Sequence, residues 1–584
     1  MIEKMTRYTF ITMKDQWEDF LPALQEIGLI DITRSTKPVD DRSSEMFTRA
    51  EALRHRIDDI RAGRYTRDPH YNDLVSARAA VLKELKRASL WGEYDTEAVE
   101  RLSEQGLKMR FYSVPASRFD PAWTELYPLQ EVSRDKTVRF VTVGPLDGYD
   151  FPVEETVPPR ESASSLQTRL EALDSDIADR MKALDAEIDD IPALQAEYNG
   201  LASGLDRYLA AQKGESAAEG ALTVVEGFAP ESDGEAVAKA LDALDVAYVT
   251  DNASLEDNPP IKLRNNRFSR LFETITRMYG MPVYDEFDPT PILSVFFMLF
   301  FAMCMGDAGY GIILFIFGIA VNKKWVKIDM FKNIGTLISV LGAATFFVGL
   351  LLGTFFGMPL EQAGWYPEPL KKLIISGEIA GYSTQMVLSL VIGVFHICLA
   401  MIIKTALHTR QRGFKNSLST WGWTLLTVGT VVALAAGALL HLGTDTTRFI
   451  IIVIAVLSAL GIFIFNKPGR NPLINVGAGL WDTYQMVTGL LGDVLSYLRL
   501  YALGLAGGML GGAFNDLAVM VLGGNPTWQW IPFAVILLFG HVLNILMSCL
   551  GAFVHPLRLT FVEYFKNSGY EGAGRQYNPL AKIK

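Results

Sequence analysis

GDVLSYLRLYALGLA, residues 492–506, places one arginine, Arg499, inside an apolar stretch that runs from Val476 to Leu522. A charged side chain at bilayer depth costs about 2.5–3.5 kcal/mol on insertion scales, so a residue of this kind is a functional candidate by default. The nearest acidic residue in the run is Asp493, six positions earlier. A guanidinium stays protonated far above neutral pH and does not release its proton, so Arg499 cannot relay one. It acts instead as a permanent cation, and a carboxyl group brought beside it from another helix is pushed toward its ionised form. An acid that is neutral in lipid and ionised opposite the arginine takes up an ion on one side and releases it on the other. The chain has no obvious acidic carrier of its own at this depth, which points to a carrier supplied by a partner subunit.

Other ionisable residues lie in the same half. FVHPLRLTFVEYF, residues 553–565, holds His555, Arg558 and Glu563. Arg558 is placed either to snorkel toward the interface or to pair with Glu563. Asp307 sits in the glycine-rich hinge MCMGDAGYG, residues 303–311. Asp307 and Asp493 are equally suited to capping broken helices or to structural pairing. Beyond Arg499, Gly504, Gly507, Gly508, Gly511 and Gly512 leave one helix face smooth. Such a face suits close static packing and also a sliding surface.

Working outward, a spanning helix needs about 20 mainly apolar residues. The candidates are 334–357, 385–407, 419–440, 448–465, 476–522 and 530–565, preceded by 291–321 with glycines in its middle. Lys and Arg concentrate in the loops 322–332 (Lys323, Lys324, Lys327, Lys332), 408–415 (Arg410, Arg412, Lys415) and 466–470 (Lys467, Arg470). The loops near 361–368, 441–445 and 523–527 are poor in them, with Lys371 and Lys372 as the exception. The positive-inside rule makes the first group cytoplasmic. The N-terminal residues have no apolar leader of signal-peptide type, so the preceding half is expected in the cytoplasm as well. Two crossings must then precede Lys323, which divides 291–321 into a pair, Pro291–Cys304 and Gly309–Val321. The expected architecture is an α-helical polytopic membrane domain of eight helices over 289–584, with both termini cytoplasmic.

Residues 1–288 are different in kind. They carry 54 acidic and 35 basic side chains, against 11 and 19 in 289–584, within a chain of net charge −11. At 584 residues, 49% apolar and 20% charged, the chain is neither disordered nor a single soluble core. Three cysteines, Cys304, Cys398 and Cys549, all in apolar runs, exclude a disulfide framework. Alternating segments at 8–13, 28–33, 110–114, 138–143, 222–226 and 246–250 read as strands of small lobes, and 15–27 reads as an amphipathic helix. Leu166, Leu170, Leu173, Ile177, Met181, Leu184, Ile188, Ile191 and Leu194 recur by threes and fours on toward Tyr208, with Pro192 expected to kink the helix. Met46, Ala50, Leu53, Ile57 and Ile60, then Leu74, Val81 and Leu85 after Asp68–Pro69, form its partner. The expected arm is cytoplasmic and α+β. Its proximal lobe takes 1–40 and 215–275, its long antiparallel coiled-coil helices 43–92 and 162–212, and its distal lobe 93–160. No phosphate loop, metal cluster, cofactor site or nucleophile–base pair stands out, and the acidic surface disfavours nucleic acid.

Five stretches carry a resemblance: PTPILSVFFMLFFAMCMGDAGYG (289–311), LLLGTFFG (350–357), LSLVIGVFHICLAMIIK (388–404), LSYLRLYALGLA (495–506) and FVHPLRLTFVEYF (553–565). In order, they are similar to the motifs of the large membrane stator subunit, a or I, of V/A-type rotary ATPases. The resemblance implies a non-catalytic, ion-translocating subunit. Its partners would be a proteolipid ring (c or K), peripheral stalk subunits of E and G/H type, a central-stalk cap of C/d type and a lipid membrane, prokaryotic by this resemblance. It places Arg499 opposite the ring's carboxylates, Arg558 at the same interface, and two offset half-channels across Arg499. Members resembling the eukaryotic form carry acids seven positions before the histidine matching His555 and fourteen before the arginine. Here Ser548 and Gln485 stand there, leaving His555, Asn544, Asp493, Glu563, Gln485, Ser548 and Asp307 as possible half-channel or supporting groups. A self-contained secondary transporter with an arginine-based anion site is the alternative. It predicts internal repeats, and the sequence has one glycine-broken segment near Gly306 without a repeat. A membrane-anchored scaffold accounts for the arm but not for Arg499.

Overall fold

The computed structural model describes all residues except 36, 62–67, 93–95, 147–149, 158–160, 187, 218–220, 245, 324, 326–333, 365, 442, 465–471, 523–528 and 584. Lys324, Lys327, Lys332, Lys467 and Arg470, which bear part of the loop charge, lie outside the described residues, as does the whole loop 523–527. Two compact units emerge: Met1–Ile11, Leu29–Ile32 and Val225–Pro579 in one, Thr12–Gly28, Thr33–Val224 and Leu580–Lys584 in the other.

In the second unit each expected long helix is two helices. Asp41–Arg61 and Pro69–Ala88 form one strand of the arrangement, Ala163–Ala186 and Ile191–Ala211 the other. Pro192 does not kink a continuous helix. It stands in the first turn of a new one, where its missing N–H has no intrahelical partner to lose. The pairs run antiparallel: Asp68, Arg78 and Val81 rise along one helix as Arg180, Asp174 and Leu166 descend the other. Asp68 also caps its own helix by accepting from His70 N at 2.9 Å. Beyond these helices, Leu107–Pro115, Thr137–Pro145 and Leu129–Arg134 form a three-stranded antiparallel sheet over Tyr112, Val138, Phe140 and Phe151.

The first unit contains strands of a second sheet and the apolar helices. Met5–Met13 pairs with Ala247–Asn252 in the register Phe10↔Tyr248, and Leu222–Pro230 lies on its other side. Of the expected 28–33 strand only Asp31–Ile32 pairs, because Gly28, left-handed at φ 64°, is occupied in closing the preceding helix. The C-terminal residues return to this sheet: Tyr577 Oη donates to Leu29 O at 2.6 Å and Asn578 N to Asp31 Oδ2 at 2.9 Å.

Among the described residues, six helices are long and apolar enough to cross a membrane: Gly335–Leu352, Thr384–Arg412, Lys415–Leu439, Thr444–Ile464, Asn475–Val521 and Trp530–Ser568. Two shorter apolar helices, Thr290–Met305 and Ala308–Asn322, meet at Gly306, whose φ is +61°. The stretch expected as one helix from 476 to 522 is broken at Tyr497 into Pro472–Ser496 and Leu498–Val521. Tyr497 is fully buried with its hydroxyl 2.9 Å from His396 Nδ1. The last long helix passes through a π-helical turn, Leu559–Tyr564, just after Pro556, which lacks the donor that would continue the α pattern.

Small residues set the closest helix pair. A Cβ on Gly342 would lie 2.4 Å from Phe315 N, and one on Gly311 2.4 Å from Phe346 N, so the backbones of 308–322 and 335–352 touch reciprocally. Gly342→Val should therefore separate these helices and lower the thermal midpoint in detergent by several degrees, whereas Gly364→Val, at a site with open space and no positive φ, changes it less. Equal midpoints would contradict the close packing.

Candidate functional site

Arg499 is the second residue of the Leu498–Val521 helix and is half-buried. Its Nη1 is buried and makes no hydrogen bond. Among the described residues, no carboxylate forms an ion pair with it. Cys304 and His555 lie within reach of its charge, and His555 also feels Arg558, so the structure gathers Arg499, His555 and Arg558 around one region. From Arg499 an open stripe runs along the helix through Ala502, Ala506, Met509, Ala513 and Met520, all exposed. The last helix presents its own, Leu546, Leu550, Val554 and Arg558. Apolar surface of this extent is covered by lipid or by a partner.

The acidic residues nearby have other partners. Asp493, 9% exposed, receives Lys566 Nζ at 3.2 Å and Asn567 Nδ2 at 2.8 Å. Glu563, on the π-helical turn, is 2% exposed and lies 4.0 Å from Arg558 Nε, while its Oε2 has no hydrogen-bond partner. Arg558 is thus exposed and lies at ion-pair distance from Glu563, the second of the two placements its sequence suggested. Asp307 is a brace. Its carboxylate accepts from Tyr310 N at 3.1 Å, Phe356 N at 2.9 Å and Gly357 N at 2.7 Å, capping one helix while holding the hairpin that follows Gly353.

The five glycines after Arg499 have static neighbours. A Cβ on Gly504 would meet Met303 O at 2.6 Å, one on Gly507 Ser548 Oγ at 3.1 Å, and ones on Gly511 and Gly512 the backbone of Gly357 at 3.0 and 3.2 Å. Gly508 approaches Thr354. Their smoothness serves packing within this chain.

Asn544 belongs to a polar chain buried between these helices. Its Nδ2 donates to Gly507 O and Tyr310 Oη, each at 2.8 Å, and its Oδ1 accepts from Ser548 Oγ at 3.3 Å. Tyr310 Oη meets His541 Nδ1 at 2.8 Å, His541 Nε2 meets Asn515 Oδ1 at 3.0 Å, and Asn515 donates to Phe356 O at 2.7 Å. A phenol and an imidazole both donate and accept, so this chain can hand on a proton or orient water. Tyr310, Asn515 and His541 escaped the sequence reading, although His541, Asn544 and Ser548 fall three and four apart on one helix face. Gln485 is elsewhere, exposed on the preceding helix. No cluster of three or more His, Cys, Asp or Glu that would hold a metal occurs among the described residues.

The model of the V-type ATPase 116kDa subunit family matches residues 146–369 and 482–582, more than half of the chain. The chain belongs to that family. Every candidate residue named above, from Asp307 to Glu563, falls within the matched segments. Residues 383–469 match instead a domain of unknown function. Among curated relatives, the A-type ATP synthase subunit I of Methanocaldococcus jannaschii is 28% identical over 461 residues, 72% of this chain and 64% of the relative. The V-type ATP synthase subunit I of Borreliella burgdorferi is 24% identical over the full length of both chains. That of Pyrococcus horikoshii, an A-type subunit I, is 30% identical over 60% of this chain and 52% of its own.

Within this family member, Asp307→Ala would strand the buried N–H of Tyr310, worth about 1–3 kcal/mol when left unsatisfied, and the part-buried ones of Phe356 and Gly357. The expected result is a lower melting temperature together with faster proteolysis in the 353–359 hairpin. Unchanged proteolysis would show that the hairpin does not depend on this carboxylate.

Proposed function

We propose that this V-type ATPase family subunit is the membrane stator of a V/A-type rotary ATPase, not its catalytic subunit. In this reading it forms the ion path with a proteolipid ring and anchors the peripheral stalks. The observation that carries the reading is Arg499: a guanidinium among apolar helices, with a buried Nη1 that nothing bonds and no acidic partner among the described residues. A fixed cation so placed favours ionisation of a carboxyl group presented by a neighbour. A ring whose subunits each carry one such group passes them along the stripe that begins at Arg499, losing the ion on approach and regaining it on departure. The same unremovable charge opposes leakage of a cation between the two sides.

On this reading the two short helices before Lys323 each cross, giving eight crossings and cytoplasmic termini in a prokaryotic membrane. The buried chain Asn515–His541–Tyr310–Asn544–Ser548 lines the approach to Arg499 from the outer side, and Arg558, held near Glu563, borders the ring with His555. The antiparallel helices of the second unit form a coiled-coil arm whose three-stranded lobe receives stalk subunits of E and G/H type. The sheet of the first unit faces a central-stalk cap of C/d type. A secondary transporter with an anion bound at Arg499 would need no ring.

Purification of the chain from its host in mild detergent is expected to bring down a small, very hydrophobic subunit with a mid-helix Glu or Asp. Arg499→Ala should leave that association intact and abolish ion-coupled ATP synthesis or hydrolysis-driven pumping. Arg499→Lys, which keeps a charge but not the planar fork, should be strongly impaired. Retained coupling in Arg499→Ala, or isolation of the chain without a ring, would defeat the proposal. Removing residues 93–160 should release stalk subunits, and their continued co-purification would remove the arm from the reading.

A further inference from the structure

Two adjoining cavities separate the Thr384–Arg412, Leu418–Leu439 and Pro472–Ser496 helices. One, of about 350 Å³, is apolar and lined by Ile397, Met401, Leu426, Met486, Leu490 and Val494 among others. The other, of about 390 Å³, is polar and takes in Lys404, His408, Gln485, Lys566 and Asn567. They share Met401, Trp423 and Met486 as a common wall, so an apolar slot leads into a polar pocket. The polar pocket lies toward the Arg412 end of the first helix, with Lys404, His408 and Arg412 at intervals of four on one face.

The charge of this pocket is specific. The charges acting on Lys404 are Lys566 and Arg412, and those acting on His408 are Arg412 and Lys404, all of one sign. Asp493 is committed to Lys566 and Asn567, and Asp482, which also lines the pocket, has an interaction of its own. The ammonium of Lys404 is left with its aliphatic stem against Gly569 and no ion pair among the described residues. A cation crossing the membrane gains nothing from such a pocket. An anion does, and the apolar slot behind it adds a second demand that an inorganic ion cannot meet.

We propose that these cavities bind one anionic glycerophospholipid. Its phosphate sits at Lys404 and His408, and one acyl chain fills the slot between Leu426 and Leu490. Basic pockets between helices on the cytoplasmic side are suited to acidic headgroups, and this one combines the charge with a place for the chain. Lys404, His408, Trp423 and the slot residues 394–431 lie outside the segments that match the subunit family. Met486, Leu490, Lys566 and Asn567 lie inside those segments, so the site joins matched helices to an unmatched one. The headgroup is one ion pair from Asp493, through Lys566, and so braces the helix that ends just before Tyr497 and Arg499. The proposal rests on the crossing scheme above only for the side on which the headgroup lies.

Native mass spectrometry of the full chain in mild detergent, titrated with phosphatidylglycerol, phosphatidylcholine or inorganic phosphate, tests it. One phosphatidylglycerol is expected to be retained per chain in preference to phosphatidylcholine. Lys404→Gln should weaken retention about fivefold, the effect of removing one cation near a headgroup. Leu426→Trp and Leu490→Trp, which fill the slot and keep every cation, should weaken it as well, and two slot variants guard against misfolding of either. Equal retention of both lipids, or insensitivity to the slot variants, overturns the proposal. Displacement of the lipid by inorganic phosphate does so too, since that marks a free-anion site. Retention is read without ATP or an ion gradient, so retained coupling in Arg499→Ala with lipid still bound defeats the stator reading alone.

Discussion

A guanidinium held among apolar helices without a bond to its buried Nη1 is the constraint around which the helical unit is organised. Leaving such a nitrogen unbonded is unfavourable, because burying a charge is tolerated only when it is paired or hydrogen-bonded. The acids that would relieve it are each engaged. Asp493 is turned to Lys566 and Asn567, Glu563 is beside Arg558, and Asp307 is saturated by three backbone donors. These pairings keep the chain's own carboxylates from neutralising Arg499. A charge that its own chain leaves unpaired is available to an acid from outside, and the proposed function turns on that availability.

Position matters as much as charge. The helix bearing Arg499 is fixed along its length by glycine contacts: Gly504 on the carbonyl of Met303, then Gly511 and Gly512 on Gly357. Gly357 is itself held by the Asp307 carboxylate. Asp307 thus acts at a distance, by clamping the hairpin that the arginine helix packs against. At the other end Tyr497, wedged against Gly393 and bonded to His396, marks the joint from which the arginine helix starts. Two buried anchors therefore set where the guanidinium projects.

Much of this was legible in the sequence because hydropathy and charge report burial directly. Strands 8–13, 110–114 and 138–143 and the long apolar runs appear within a few residues of where they were expected. Pro192 was expected to kink a helix, but whether a proline kinks a helix or starts one depends on the residues preceding it. The polar chain was harder to see. Tyr310, Asn515 and His541 come from different helices, and only tertiary packing brings them together. The return of Tyr577 and Asn578 to Leu29 and Asp31 joins residues more than five hundred positions apart and has no periodicity to announce it.

The neutral character of that polar chain follows from the charge it approaches. Ser548 lies against Gly507, eight residues and so about 12 Å along the helix from Arg499. An ionised carboxylate at that position, in surroundings with little water, would be attracted to the guanidinium and would compete with any acid arriving from a partner. A hydroxyl, an amide, a phenol and an imidazole satisfy one another without a net charge, as the bonds among Ser548, Asn544, Tyr310 and His541 do. Serine in place of an acid therefore keeps a hydrogen-bonded route through the helices while leaving Arg499 uncommitted. On the proposed function, the carboxylate that completes the site is then the one that moves.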